Sequence, residues 1–191
     1  MRRPPASGNL LYFLALMPPE DLQAGITAIK QDFAHRYGAA HALRTPPHIT
    51  LVPPFSWPAR EEARLCAVLK RFAAGAPGCD IRLDGFGAFR PRVVFLRVLA
   101  GAELAGLQAD LESFCRRELG IGDTGNAGRP FHPHLTIATR DLEPDAFQRA
   151  WAEVENRPFS ADFRAGELVL LRHLRAGWEV AGRFPLSGAS R

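Results

Sequence analysis

"PPHITLVPPF", Pro46 to Phe55, sets a histidine and a threonine two positions apart in an apolar, proline-flanked run. "FHPHLTIATR", Phe131 to Arg140, repeats the arrangement with His134 and Thr136. Side chains alternate faces along a strand, so residues two apart share one face. His48 and Thr50 therefore point one way while Ile49 and Leu51 point the other; His134 and Thr136 oppose Leu135 and Ile137 in the same manner. The aliphatic face suits packing beneath helices. The polar face has to meet solvent, a partner or a ligand, because an unpaired buried imidazole or hydroxyl costs about 1–3 kcal/mol.

Outward from these strands the chain reads as two copies of one unit. "YFLALMPPEDL" from Tyr12 aligns with "VFLRVLAGAEL" from Val94, matching Phe13 with Phe95, Leu14 with Leu96, Asp21 with Glu103 and Leu22 with Leu104. Each begins as a β-rich apolar run and passes through a breaker into a helical pattern. Leu22, Ile26, Ile29, Phe33 and Tyr37 keep helical spacing in the first copy; Leu104, Leu107, Leu111 and Phe114 do so in the second. An H-x-T strand follows each helix, 35 residues after Phe13 and 39 after Phe95. Further helices are expected near 59–72 and 144–154, and strands near 80–89, 166–172 and 178–184. "PPFSWP" after the first motif reads as a turn, and glycine-rich "IGDTGNAGRP", Ile121 to Pro130, as a loop leading into the second.

The expected fold class is α+β: a bilobal, pseudo-symmetric duplication of a β-α-β-α-β unit, with an extra strand closing the second copy. Two antiparallel sheets would face a central cleft, with helices on the outside. We expect a single bilobal domain over 1–191, its first repeat about 9–90 and its second about 91–186, with 1–8 and 187–191 as flexible termini.

With 191 residues, 47% hydrophobic and 23% charged, the composition is that of an ordinary soluble globular protein. The formal charge of +4 is mild but compatible with a polyanionic partner. Lys30 and Lys70 are the only lysines among 24 basic residues. Cys66, Cys79 and Cys115 fall in no metal-binding spacing and read as reduced thiols. No apolar run reaches the ~20 residues that span a bilayer, and "LLYFLALM" reads as a strand rather than a signal peptide. A cytoplasmic protein, away from membranes, acting as a monomer without an obligate protein partner, is the expectation.

Two imidazoles and two hydroxyls lining one cleft outline a phosphoester site. Near neutrality one imidazole can be neutral and take a proton from the attacking oxygen, while the other is protonated and gives one to the departing oxygen. Each threonine can donate to a nonbridging phosphoryl oxygen as charge builds there. A leaving group already poised for in-line attack, such as the 2′,3′-cyclic phosphate of RNA, suits such a site, and the chemistry needs no metal or other cofactor.

"HITL" at His48–Leu51 and "HLTI" at His134–Ile137 resemble the paired H-x-T-x signatures of the 2H phosphoesterase superfamily, in particular the bacterial 2′-5′ RNA ligase-like proteins, also described as cyclic phosphodiesterases. The resemblance runs from "LLYFLALMPPEDL" to the closing strands. It implies a bilobal fold with both motifs in a central cleft, His48 and His134 as catalytic residues, and Thr50 and Thr136 as phosphate ligands. It also implies metal-independent opening of 2′,3′-cyclic phosphates on RNA ends or small nucleotides, to a 2′-phosphate, and in some members reversible 2′-5′ RNA joining. Several ligase-like members carry a phosphate-holding arginine soon after the second motif. Here Thr139 precedes Arg140, which places the arginine one position late, on the other strand face, from where it could reach around the strand end.

Other substrate contacts are drawn from the motif flanks. Phe55, Trp57 and Phe131 are candidates for stacking on a base or for core packing, and His132 for lining the cleft or orienting the second motif. His132 and His134 form an H-x-H pair that could hold a metal, but no acidic residue stands beside them. His35, His41 and His173 have no motif partner and read as surface residues. "FGAFRPRVVFLRV", Phe86 to Val98, reads as a hairpin carrying Arg90, Arg92 and Arg97, either a positive rim or a solvated turn. Two alternatives stay open: an RNA- or nucleotide-binding module using the same cleft without catalysis, and a metal-dependent hydrolase built on His132 and His134.

Overall fold

A computed structural model of the chain describes residues 8–99, 101–121 and 130–187. Residues 122–129 of the expected glycine-rich loop, together with 1–7 and 188–191 of the expected termini, lie outside them.

The two repeats begin alike. Strand β1 (Asn9–Leu16) leads through a short turn, Met17 followed by Pro18 and Pro19, into helix α1 (Glu20–Tyr37). Strand β4 (Val93–Leu99) leads in the same way, past Gly101, into helix α3 (Ala102–Leu119). Both helices are 18 residues long, carry acidic residues in the first turn and basic ones in the last, and so match the helix dipole. Both end on a glycine in the left-handed conformation, Gly38 at φ 72° and Gly120 at φ 65°, which only glycine adopts without strain. The motif strands follow as β2 (Ile49–Pro58) and β5 (His134–Ala138), and the shorter helices as α2 (Glu62–Gly75) and α4 (Pro144–Val154). β3 (Cys79–Phe89) closes the first copy; β6 (Ser160–Ala165), β7 (Glu167–Leu174) and β8 (Gly177–Pro185) close the second.

The strands do not form two sheets. They make one curled antiparallel sheet in the order β6-β3-β4-β5-β2-β1-β7-β8, which corrects the expectation of separate sheets face to face. The reason is that the motif strands pair with each other, Ile49 opposite Leu135, and join the halves at their centre. The order is symmetric about that junction: β2 mirrors β5, β1 mirrors β4, and β7 mirrors β3. The closing strands have also changed places. β3, from the first copy, pairs with β4 and β6; β7, from the second, pairs with β1 and β8. Each half of the sheet is thus built from both copies.

"PPFSWP" is not a turn but the second half of β2, paired with β1 from Tyr12↔Phe55 to Asn9↔Pro58. Pro53 and Pro54 fall where the register shifts between Tyr12↔Phe55 and Leu14↔Val52. Proline's missing N–H is tolerated at such a bulge, where β2 carries more residues than its partner. The hairpin expected around Phe86–Val98 is present as β3 and β4. β6, a half-exposed strand at the sheet edge, has no counterpart among the sequence expectations.

The four helices cover one face of the sheet, where Leu14, Leu16, Ile49, Leu51, Leu96, Leu135, Ile137, Leu168 and Leu170 form the main core with Ile26, Phe33, Leu65, Leu111 and Phe147. The other residue set of the same strands forms a second, smaller apolar cluster: Phe13, Ala15, Val169 and Leu171, with Met17 and Trp178 packed on it. No helix among the described residues is long and apolar enough to cross a membrane.

Candidate active site

The Ile49↔Leu135 pairing decides where the motif side chains go. Both residues are fully buried on the helix-covered face. Extended by one residue each way, an antiparallel register sets His48 opposite Thr136 and Thr50 opposite His134, all on the opposite face. The two histidines lie on one diagonal of this quartet and the two threonines on the other. Diagonal neighbours in an antiparallel pair lie roughly 7–8 Å apart, within reach of one small anion between them. All four side chains are partly buried, whereas Ile49, Leu51, Leu135 and Ile137 are wholly so.

Both rings are held in the same way. His48 Nδ1 donates to the Pro46 carbonyl at 2.7 Å, and His134 Nδ1 donates to the His132 carbonyl at 2.8 Å. A carbonyl can only accept, so each neutral ring carries its proton on Nδ1 and leaves Nε2 as the available base. Each ring also rests on a phenylalanine from the first strand of its own repeat. Phe13 lies 4.8 Å from His48 and Phe95 lies 5.3 Å from His134, between ring centroids. These are the two phenylalanines that the repeat alignment superposes.

A second aromatic backs each of them. Trp178 of β8 meets Phe13 edge-on at 4.6 Å, with His173 4.9 Å beyond it. Phe89 of β3 meets Phe95 at 4.6 Å and His134 at 5.1 Å. Gly87 explains how Phe95 lies so flat across β3: a Cβ there would collide with the phenylalanine ring. The quartet is therefore flanked by two aromatic walls, one on each side of the sheet's centre.

The electrostatics break this symmetry. Burial pushes the His48 pKa down to about 4, with the charges of Lys30 and His134 adding to the effect. Burial also lowers His134, while its bond to the His132 carbonyl opposes the fall. Lys30, on α1, is 2% exposed and donates from Nζ to the carbonyls of Ala42 at 3.2 Å and Thr45 at 3.0 Å. Its own pKa is pushed down to about 8 by burial.

The flanking candidates divide. His132 stands beside the quartet: its carbonyl holds His134, and its exposed ring lies edge-on to Phe89 at 5.2 Å. Phe55 is buried on the core side, stacked on Tyr12 at 6.2 Å, which removes it from the cleft. Trp57 is buried in that core too, and Phe131 packs against it. Arg140 lies past the end of β5 in a left-handed conformation, φ 62°, with its side chain exposed. After burial, its charge is the largest influence lowering the pKa of His41. Of the hairpin arginines, Arg97 donates to the Asp84 carbonyl, Arg92 lies near Glu143, and Arg90 sits over the Phe147 and Trp151 rings. Among the described residues no group of three His, Cys, Asp or Glu side chains is gathered for a metal, His132 and His134 included.

Phe13, Phe95, Phe89, Trp178, His173 and Lys30 carried no site role in the sequence reading. For Phe13 and Phe95 a signal was present. They sit out of phase with Leu14 and Leu96 in strands apolar on both faces, which means that something covers the second face.

Comparison with known proteins places the chain in a family. The family model of the 2′-5′ RNA ligase superfamily matches residues 18–177. A Geobacillus kaustophilus protein provisionally named a phosphoesterase is 29% identical over 187 residues, 93% of this chain and 96% of the relative. Another, from Geobacillus thermodenitrificans, is 31% identical over 168 residues, 83% of this chain and 90% of the relative. Among solved structures, a Thermus thermophilus protein superposes with a TM-score of 0.68 at 23% identity, over 94% of this chain and 100% of that one. Escherichia coli LigT superposes with a TM-score of 0.67 at 23% identity, over 94% and 99%, and has been crystallised with 3′-AMP, NADP+ and ATP. The matched span takes in both motif strands and all four helices, and the chain belongs to the 2′-5′ RNA ligase superfamily.

Proposed function

We propose that the protein is a metal-independent phosphoesterase that opens 2′,3′-cyclic phosphates, on RNA ends or small nucleotides, to a 2′-phosphate. The reading rests on one observation: two H-x-T pairs meet on one sheet face with both histidines held through Nδ1, so that two Nε2 atoms are free for proton transfer. A phosphorus between them is attacked by water as one histidine accepts the water's proton. The P–O3′ bond breaks as the other histidine donates its proton to O3′, leaving the phosphate on O2′. Thr50 and Thr136, on the crossing diagonal, donate to the nonbridging oxygens, whose charge grows in the transition state. Replacing water by a ribose hydroxyl turns the same steps into phosphodiester formation, so reversible 2′-5′ joining is the accompanying activity.

The aromatic walls support a nucleotide substrate, since bases of any sequence stack on exposed rings. LigT's crystallisation with 3′-AMP supports the same class of ligand. The deciding experiment incubates the protein with a panel of 2′,3′-cyclic nucleotides and cyclic-phosphate-ended oligonucleotides in excess EDTA and follows phosphorus NMR. A 2′-phosphate signal is expected. Binding without any product would leave a recognition module in its place, and turnover abolished by EDTA would overturn the metal-free chemistry.

A further inference from the structure

Lys30 is the one buried charged residue in the described core, and no carboxylate meets it in the structure's hydrogen bonds. Burying an ammonium on two neutral carbonyls is costly, and a methionine of similar length would fill the same space without that cost. The fold does not require the charge. Eight residues before Gly38, Lys30 corresponds to the residue eight before Gly120, which is Glu112, a half-buried acid bonded to Gln108 and Arg116. The repeat is thus broken at this point, and in favour of a cation under the first motif only.

What the ammonium holds is the strap in front of that motif. Ala42 lies in the 3₁₀ turn His41–Arg44, and Thr45 closes it. Pro46, whose carbonyl orients His48, is the next residue. We propose that Lys30 is a positioning residue for the first motif: it ties down the strap that carries Pro46, and so fixes the ring of His48 with Nε2 open, while its charge keeps that ring the proton acceptor of the pair. The charged groups acting on His48 are Lys30 from α1 and His134 from β5; Phe13 contributes only an apolar face. His41 and Arg44 lie on the strap itself, where His41 answers to Arg140, Asp141, Arg44 and His173. A cation disfavours imidazolium, so removing the Lys30 charge while an apolar side chain of similar length keeps the strap and its Pro46 bond in place raises the His48 pKa toward its ordinary value. Two histidines that the duplication would make interchangeable thereby become a base, His48, and an acid, His134. This assignment rests on the phosphoesterase reading above.

The test is Lys30→Met and Lys30→Arg, each with two readouts. By NMR, the His48 ring titrates well below 6.5 in the wild type, moves upward by about half a pH unit or more in Lys30→Met, and stays low in Lys30→Arg, which keeps the charge. In kcat/KM, the acid limb of Lys30→Met moves up with it, about a 3-fold loss at the foot of the limb relative to its own plateau. A uniform loss of activity with an unmoved His48 titration would reduce Lys30 to a structural role and overturn the proposal. If Lys30→Met does not fold, the wild-type titration decides: a His48 ring that titrates at its ordinary value refutes it. The NMR readout needs no turnover, so an inactive wild type would sink the phosphoesterase reading without touching this one.

Discussion

Ile49 and Leu135 face each other across β2 and β5, and this pairing alone turns both H-x-T motifs toward the same side of the sheet. A slip of one residue in either strand would send His and Thr into the core and the aliphatic residues into the cleft, because strand side chains alternate with a period of two. The register is defended by four fully buried aliphatics, Ile49, Leu51, Leu135 and Ile137, that no slipped arrangement could bury.

The histidines on that register are expected to be indispensable. His48→Ala and His134→Ala should each lower kcat on a cyclic nucleotide by ~10²–10⁴-fold, the range for general acid–base groups. Thr50→Val and Thr136→Val should cost ~10²-fold, with kcat affected more than KM, as for donors that act mainly on transition-state charge. Circular dichroism should find all four variants folded, because none of the residues belongs to the core. Single histidine variants with wild-type rates would remove the acid–base assignment.

The pH profile follows from the same rings. Burial lowers both imidazoles from their ordinary 6.5 in the unliganded protein, His48 to about 4. The productive form has one proton on the pair. It is lost at low pH when His48 also protonates, and at high pH when His134 deprotonates. A bell-shaped kcat/KM with its maximum between about pH 4 and 6.5 is expected. A bound phosphate favours imidazolium, so the alkaline limb of kcat should lie higher than that of kcat/KM. Initial rates from about pH 2.5 to about pH 8, roughly 1.5 units beyond the two limbs, would test it. Activity that climbs steadily through neutrality contradicts the arrangement.

Stability should titrate too. The folded pKa of His48, about 4, lies below its ordinary 6.5, so the fold prefers the neutral ring. That contribution is complete above pH 6.5 and is lost as pH falls toward 4, by an amount on the order of 3 kcal/mol. Lys30 adds a second slope of the same sign: its pKa falls from 10.5 to about 8, so stability rises with pH between those values. Urea unfolding as a function of pH would resolve both slopes. His48→Asn should flatten the acid one, and Lys30→Met the alkaline one.

Much of this molecule is legible in the chain, for reasons that also explain what is not. Period-two and helical apolar spacing gave both long helices and both motif strands, and the alignment of Phe13 with Phe95 gave the duplication. Neither pattern carries information about which strands become neighbours, so the exchange of β3 and β7 and the single continuous sheet appear only in three dimensions. "PPFSWP" misled because prolines usually mark turns, whereas a bulge within a strand, where Pro53 and Pro54 fall, tolerates them. Phe55 lies close to the motif in sequence and on the core face in space, because at seven residues, an odd separation, strand alternation sets it on the face opposite His48; reading its segment as a turn hid this. Lys30 was invisible as a site residue since nothing in its helical spacing says that its ammonium reaches the strap after the helix.

Gly87 is expected to be the most sensitive small residue near the site. A Cβ there meets the ring of Phe95 rather than open space, and Phe95 in turn supports His134. Overpacking of this kind costs about 1–3 kcal/mol. Gly87→Ala should therefore lower the melting temperature and also reduce kcat, while leaving the His48 titration unmoved. Gly106, whose Cβ would meet nothing, is the control: Gly106→Ala should raise stability by up to about 1 kcal/mol through helix propensity.

The two aromatic walls differ, and the difference is measurable. Phe89 is 40% exposed and reaches past Phe95 to the edge of His134, whereas Trp178 is half-buried behind Phe13. An exposed ring offers a face to a base at little cost; a ring already packed on two neighbours has less face left to give. Base–aromatic stacking is worth about 1–3 kcal/mol, so Phe89→Ala should raise KM for cyclic nucleotides by ~5–150-fold. Trp178→Ala should raise it less while also loosening Phe13 and, through it, His48, which would appear in kcat. A base-free ribose 2′,3′-cyclic phosphate separates the effects: its KM should be unchanged by Phe89→Ala. An equal penalty on substrates with and without a base would mean that Phe89 supports His134 rather than a nucleotide.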